Sequence, residues 1–118
     1  MQAAALLAKL ESGDPAALSA SEAIRMATLD GARALGLDPI TGSLEAGKSA
    51  DFIAIDMSGV HMAPNHQIES NIVYAASGTE VTHSWIAGKN AVENGQLQSL
   101  DSDELRRKAA DWRAKLSA

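Results

Sequence analysis

Residues Phe52-Ile53-Ala54-Ile55 are apolar at every position and are bracketed by Asp51 and Asp56. A strand with one wet face alternates polar and apolar side chains, whereas an unbroken apolar run belongs to a strand covered on both faces. This run therefore demands neighbours, and that demand limits the chain's folds more than any other feature. A turn leads into it. Gly42 and Gly47 stand five apart in Thr41-Gly42-Ser43-Leu44-Glu45-Ala46-Gly47-Lys48-Ser49, the chemistry of a tight loop ahead of a strand.

The chain has little bulk to supply that cover. Of its 118 residues 23 are alanine, and Leu, Ile, Val and Phe together number only 24. That share is close to the level of about 20% below which chains struggle to bury a core. An alanine offers one methyl, and each buried carbon of this kind contributes only about 0.8 kcal/mol. The length suits one domain. Ordered elements with so little between them predict a piece that packs against something beyond itself.

The remaining elements follow from pattern. Ala3, Leu6, Leu7 and Leu10 recur at helical spacing over 2–11, and Gly13 and Pro15 stop that helix. No cap precedes it, so the sequence is expected to open inside a larger fold. Ser19 and Glu22 form a capping box for a second helix whose stripe is Ile24, Thr28, Gly31 and Leu35. A glycine in such a stripe costs about 1 kcal/mol against alanine, and close approach of another backbone would justify it. Gly36 ends this helix. Residues 57–70 read as a loop, and Glu69–Ala76 as either a short helix or an extended stretch. Val81–Ala87 and Asn90–Asn94 predict a hairpin turning at Gly88-Lys89, with Val81, His83, Trp85 and Ala87 on one face. A further turn follows at Glu93–Gln96. Asp101 and Glu104 cap a last helix, Ser102–Leu116, striped by Leu105, Ala109, Trp112 and Leu116.

Charge and composition exclude several functions. The formal charge is −5, against nucleic-acid binding, which relies on Lys and Arg neutralising phosphates. Arg106-Arg107-Lys108 reads as a solvated helix face. With no cysteine, thiolate metal sites, disulfides and cysteine nucleophiles are excluded. Neither a signal peptide nor a membrane span is predicted, so no membrane partner is expected and the expected location is cytoplasmic.

No catalytic, cofactor-binding or metal-ligating residue is assigned. His61 and His66 lie five apart in a loop and His83 on a strand, so nothing in the pattern brings the three together. Asp51 and Asp56 flank a strand and are read as turn-stabilising. Asp101, Asp103 and Glu104 occupy a helix's first turn, where negative charge meets the positive dipole end. Gly42 to Ser49 matches the letter of a phosphate-binding loop, but that motif needs a strand before it and a helix after it; the order here is reversed.

The order of these pieces resembles a known superfamily. Leu18-Ser19-Ala20-Ser21-Glu22-Ala23, with Ala27-Thr28 and Gly31–Leu37, resembles the last barrel helix of the amidohydrolases. Gly42–Asp51 resembles the turn from their barrel into their β-domain, and Val81–Lys89 the hairpin near that domain's end. Members usually carry asparagine where Ala87 stands, while Gly88 keeps the left-handed turn position. Met1–Lys9, Ile72–Ala76 and the Trp85 hairpin are similar to the chlorohydrolase and aminohydrolase branch, methylthioadenosine/S-adenosylhomocysteine deaminases foremost.

The resemblance implies an α/β fold: the C-terminal helices of a (β/α)8 barrel, part of a composite β-sandwich, and a terminal helix. It divides the chain into 1–40, the barrel's last helical part; 41–100, the β-domain strands and hairpin; and 101–118, the terminal helix. It implies a parent enzyme that hydrolyses a C–N bond of a purine-type or other N-heterocyclic ring, using zinc or iron held by histidines and an aspartate. None of those ligands has a counterpart here, so the chain is expected to be inactive and metal-free alone. Its expected partners are the rest of the barrel and the N-terminal β-strands, and in isolation a second copy of itself. The alternatives are a free-standing interaction or scaffold module and a small enzyme in its own right.

Overall fold

The computed structural model describes residues 1–116; residues 117 and 118 of the expected terminal segment lie outside the described residues. The apolar run forms β1 (Phe52–Ile55), followed in sequence order by β2 (Val81–Ile86), β3 (Lys89–Glu93) and β4 (Gln96–Leu97). These make one antiparallel sheet in the order β1-β2-β3-β4, with Phe52 opposite Trp85 and Ile53 opposite Ser84. The turn read at Glu93–Gln96 is thus the start of a second hairpin that returns two residues to the sheet. β1 is an edge strand, and its cover is incomplete: Phe52 is 39% and Ile53 52% exposed. The expectation that both faces are covered fails within these residues: Phe52 and Ile53 point to opposite faces and both are exposed, because no described element packs closely over either.

The described residues also form five α-helical segments: α1 (Gln2–Ser12), α2 (Ala20–Arg25), α3 (Gly31–Ala34), α4 (Ile68–Tyr74) and α5 (Ser102–Leu116). Glu69–Ala76, left open between helix and strand, is therefore mostly helix. α1 stops at Gly13, which takes the left-handed conformation at φ 67° that glycine adopts without a Cβ clash. At α2 the capping box is complete: the Ser19 hydroxyl oxygen accepts from the Glu22 amide, and Glu22 accepts from the Ser19 amide.

The helix expected to run unbroken from Ser19 to Gly36 contains a π-helical turn, Met26–Asp30, between α2 and α3. A Cβ on Gly31 would stand 3.0 Å from the Met26 carbonyl oxygen. Gly31 therefore makes room for the widened turn of its own helix. The close approach of another segment falls instead at Gly42, packed against Leu29 and Ala32.

The core is small and alanine-built. Ala5, Ala23 and Val73 join α1, α2 and α4, flanked by Leu18, Ile24 and Tyr74. Met62, in a 3-10 turn (Val60–Met62), is fully buried. The radius of gyration is 18.0 Å, where a compact chain of this length has about 13.5 Å. The accessible surface is 8558 Å², where a compact monomer of this mass exposes about 6,100 Å².

Candidate functional site

The best-built polar cluster centres on Glu80, whose side chain is 6% exposed. It sits at the entry to β2, and its own carbonyl accepts from the Asp56 amide at the end of β1 (2.8 Å). Its carboxylate accepts from the amides of Ser77 (3.0 Å) and Gly78 (2.8 Å), from the Ser77 hydroxyl, and lies 2.7 Å from His61 Nε2. Its own backbone amide and these donors, His61 among them, outweigh burial and hold its pKa down at about 2. The carboxylate thus stays ionised, tying the 57–67 loop to the start of β2. The sequence reading passed over Glu80. The signal was there in Ser77-Gly78-Thr79-Glu80, a small-residue turn whose free amides want an acceptor.

The residues singled out from sequence go to structural roles. His83 stacks on Trp85 with ring centroids 5.4 Å apart, and Trp85 on Phe52 at 4.5 Å, an aromatic ladder across β1 and β2. His66 is exposed. Asp51 joins two turns: one carboxylate oxygen accepts from the Thr41 hydroxyl (2.8 Å), the other from the Ala87 amide (2.6 Å). The Ala87 amide, then Thr41 and Ser49, depress its pKa. Asp56 accepts from the Ser58 amide, and Asp101 from the amides of Asp103 and Glu104.

The glycine-rich turn is no phosphate cradle. Lys48 Nζ donates to the Ser43 hydroxyl (2.6 Å) and pairs with Glu45 at 3.4 Å, so its charge is engaged within the turn. At Gly42, φ is 92°, and an added Cβ would meet Ala32 Cβ at 2.7 Å. The glycine lets the turn lie against the helix. The hairpin turns at Ala87 (φ 49°) and Gly88 (φ 74°), the left-handed pair of a type I′ turn.

Two clefts flank β1. One of about 570 Å³ lies between α3, the glycine turn and the strand, lined by Leu35, Leu44, Phe52 and Ile53 among others. The other, of about 300 Å³, is lined by Ile55, Ile72 and Val81. Both are mainly apolar, and Ile53 lines both. Among the described residues no three His, Asp or Glu side chains converge as a metal site, so these residues do not fit a zinc or iron ion. Nor is any described helix long and apolar enough to cross a membrane.

Helices feeding a four-stranded antiparallel sheet through a glycine-supported turn, with apolar clefts beside the strand, define a mixed helix-and-strand module. The chain belongs to the amidohydrolase family, whose pattern matches residues 1–91. It is 48% identical over its whole length to a 5-methylthioadenosine/S-adenosylhomocysteine deaminase of Teredinibacter turnerae, of which it covers 27%. It is 41% identical over 92% of its length to a 5'-deoxyadenosine deaminase of Methanobrevibacter smithii, covering 25% of that protein. The fold is similar to that of an adenosine deaminase from Xanthomonas campestris crystallised with zinc, with TM-score 0.94 and 40% identity over 98% of this chain and 26% of that one. An atrazine chlorohydrolase from Arthrobacter aurescens, also with zinc, matches at TM-score 0.78 and 29% identity over 96% of this chain and 25% of that one. The chain thus spans about a quarter of the length of the relatives it matches.

Proposed function

We propose that this chain is the C-terminal quarter of a hydrolytic deaminase acting on an adenosine-type ring, methylthioadenosine or S-adenosylhomocysteine being the leading substrates. The reaction replaces the ring's amino group with oxygen from water and releases ammonia. One observation carries the reading: 98% of the chain superimposes at TM-score 0.94, with 40% identity, on one quarter of an adenosine deaminase. In this assignment residues 1–40 are the last helical part of a (β/α)8 barrel, 41–100 the strands of a composite β-domain, and Ser102–Leu116 a terminal helix.

The zinc or iron of such an enzyme is held by residues outside this quarter, since the described residues form no ligand set. What this chain's side chains do is brace. Asp51 bonds the barrel-side turn through Thr41 and the hairpin through Ala87, fixing β1 between them. Glu80 pins the loop beside the far end of β1 through His61. The remainder of the barrel and the N-terminal β-strands are the partners of the open clefts, and the chain alone is inactive.

A chimera tests this. The 118 residues replace the matching 27% of the Teredinibacter turnerae deaminase, and ammonia release from methylthioadenosine is measured against the parent. Activity within about tenfold of the parent supports the reading. A soluble, zinc-loaded chimera that deaminates no adenosine-type substrate refutes it, as does ammonia release by the 118 residues alone.

A further inference from the structure

The turn joining β3 to β4 carries the sequence Glu93-Asn94-Gly95-Gln96. Asn94 has φ 50° and Gly95 φ 74°, the left-handed pair of a two-residue type I′ hairpin. Both residues are exposed. β4 is an edge strand of two residues, held by Val92 opposite Leu97 and Glu93 opposite Gln96. Just beyond it the Gln98 amide donates to the Ala91 carbonyl (3.0 Å), and at the turn the Gly95 amide donates to the Thr82 carbonyl of β2 (2.9 Å). An asparagine followed by glycine is able to close a ring on itself. The backbone nitrogen of the glycine reaches the carboxamide carbon, and no Cβ on the glycine obstructs the approach.

Of the four asparagines, Asn94 alone precedes a glycine. The Asn71 carboxamide donates to Asn65 (2.7 Å) and to the Met62 carbonyl, and Asn65 donates to the Met57 carbonyl. Asn90 is held in β3 opposite Trp85. The folded turn opposes ring closure at Asn94 in two ways. A left-handed residue has ψ of about +47°, which turns the following nitrogen away from its own side chain. The Gly95 N–H is also engaged on Thr82, out of reach of the hydroxide that would remove its proton. Both restraints are released when β4 leaves the sheet, and a two-residue edge strand belongs to the least stable end of a fold.

We propose that Asn94 is a self-modification site, protected by the β3–β4 hairpin and consumed when that hairpin opens. Hydroxide takes the Gly95 amide proton, and the nitrogen bonds to the side-chain carbonyl carbon of Asn94. The bond from that carbon to the carboxamide nitrogen breaks, and the nitrogen takes a proton from water and leaves as ammonia. Water then opens the cyclic imide at either carbonyl, giving aspartate or its β-linked isomer. The net change is water consumed and ammonia released, with nothing oxidised or reduced. The β-linked product lengthens the backbone of the turn by a carbon, so the left-handed pair and the Val92–Leu97 register no longer form together. Opening of β4 is thereby made permanent. The proposal does not rest on the deaminase reading: the chimera reports turnover of an added nucleoside, whereas this reaction is read in the mass of the chain itself.

The test is peptide mapping by mass spectrometry of the 118-residue chain, held in mildly alkaline buffer with and without guanidinium chloride. In denaturant the mass gain of deamidation is expected at Asn94 ahead of Asn65, Asn71 and Asn90. In native buffer it is slower at Asn94 by about tenfold or more, because the reaction follows the population of the open form. Leu97→Gly removes the side chain opposite Val92 at a half-exposed position, so the rest of the fold is spared. It should raise the native rate by about fivefold or more and leave the denatured rate unchanged. Asn94→Gln, whose longer side chain disfavours the ring, should lose the modification at this position. Equal rates in native buffer and in denaturant overturn the proposal. So does a native rate that Leu97→Gly does not move, or faster reaction at another asparagine in denaturant.

Discussion

Replacing Gly42 by alanine separates two costs that a glycine in a turn can hide. Gly42 and Gly47 have nearly the same φ, 92° and 94°, in the same loop. Alanine at either position adopts a left-handed backbone, at about 1–2 kcal/mol. Removing a glycine also stiffens the unfolded chain, which returns about 0.4–1 kcal/mol. Gly47→Ala should therefore cost about 0.5–1 kcal/mol, since no atom lies within 4 Å of its added Cβ. At Gly42 the Cβ meets Ala32 Cβ at 2.7 Å, Leu29 Cα at 3.1 Å and the Thr28 carbonyl oxygen at 3.2 Å. Two of these are backbone atoms and the third is fixed to the backbone, so no rotamer change relieves the clash. Overpacking of this kind adds about 1–3 kcal/mol, bringing Gly42→Ala to about 2–4 kcal/mol. The measurement is urea unfolding of both variants followed by circular dichroism. With a slope of about 1.5 kcal/mol per molar, the midpoints should differ by about 1–2 M. Equal midpoints would mean that the turn is not seated on the helix, and the account of how the helices hold β1 would go with it.

Other consequences are as direct. The folded pKa of Glu80 is held at about 2, below its ordinary 4.5, so the clasp stabilises fully above pH 4.5 and its contribution is lost as pH falls toward 2; Glu80→Gln should flatten the acid limb of a stability-against-pH curve, and an unchanged limb would count against the clasp. Ala87→Asn should raise stability by about 0.5–1 kcal/mol in thermal melts, because asparagine tolerates the left-handed φ of 49° better than alanine. Ser19→Ala removes the capping box and should cost about 1 kcal/mol in urea unfolding, whereas an unaffected midpoint would show that α2 does not depend on it. Elemental analysis of the purified chain should find less than stoichiometric zinc and iron; a tightly bound equivalent would contradict the absence of a ligand set among the described residues.

Local chemistry was legible wherever a few adjacent residues complete a feature. Ser19 and Glu22 close their box, Gly13 ends α1, and Phe52–Ile55 is a strand; the hairpin also forms, but it turns at Ala87-Gly88, one residue earlier than the expected Gly88-Lys89, because Ala87 takes the left-handed φ and Lys89 already belongs to β3. Each depends on contacts within a few positions, and side-chain type decides those. The family also showed in the linear order of three motifs, because a turn and a hairpin keep their residues together in sequence. The π turn at Met26–Asp30 was not legible, since a stripe at helical spacing reads alike whether one turn is widened or not.

Tertiary structure alone decided the partners that are far apart in sequence. Asp51 finds Ala87 across 36 residues, and His61 finds Glu80 across 19. Composition could say that bulk was short, but only the fold shows where the deficit falls: at the open side of β1 and along α5. A pattern of residues fixes which face wants cover, and the path of the whole chain fixes whether anything is there to provide it.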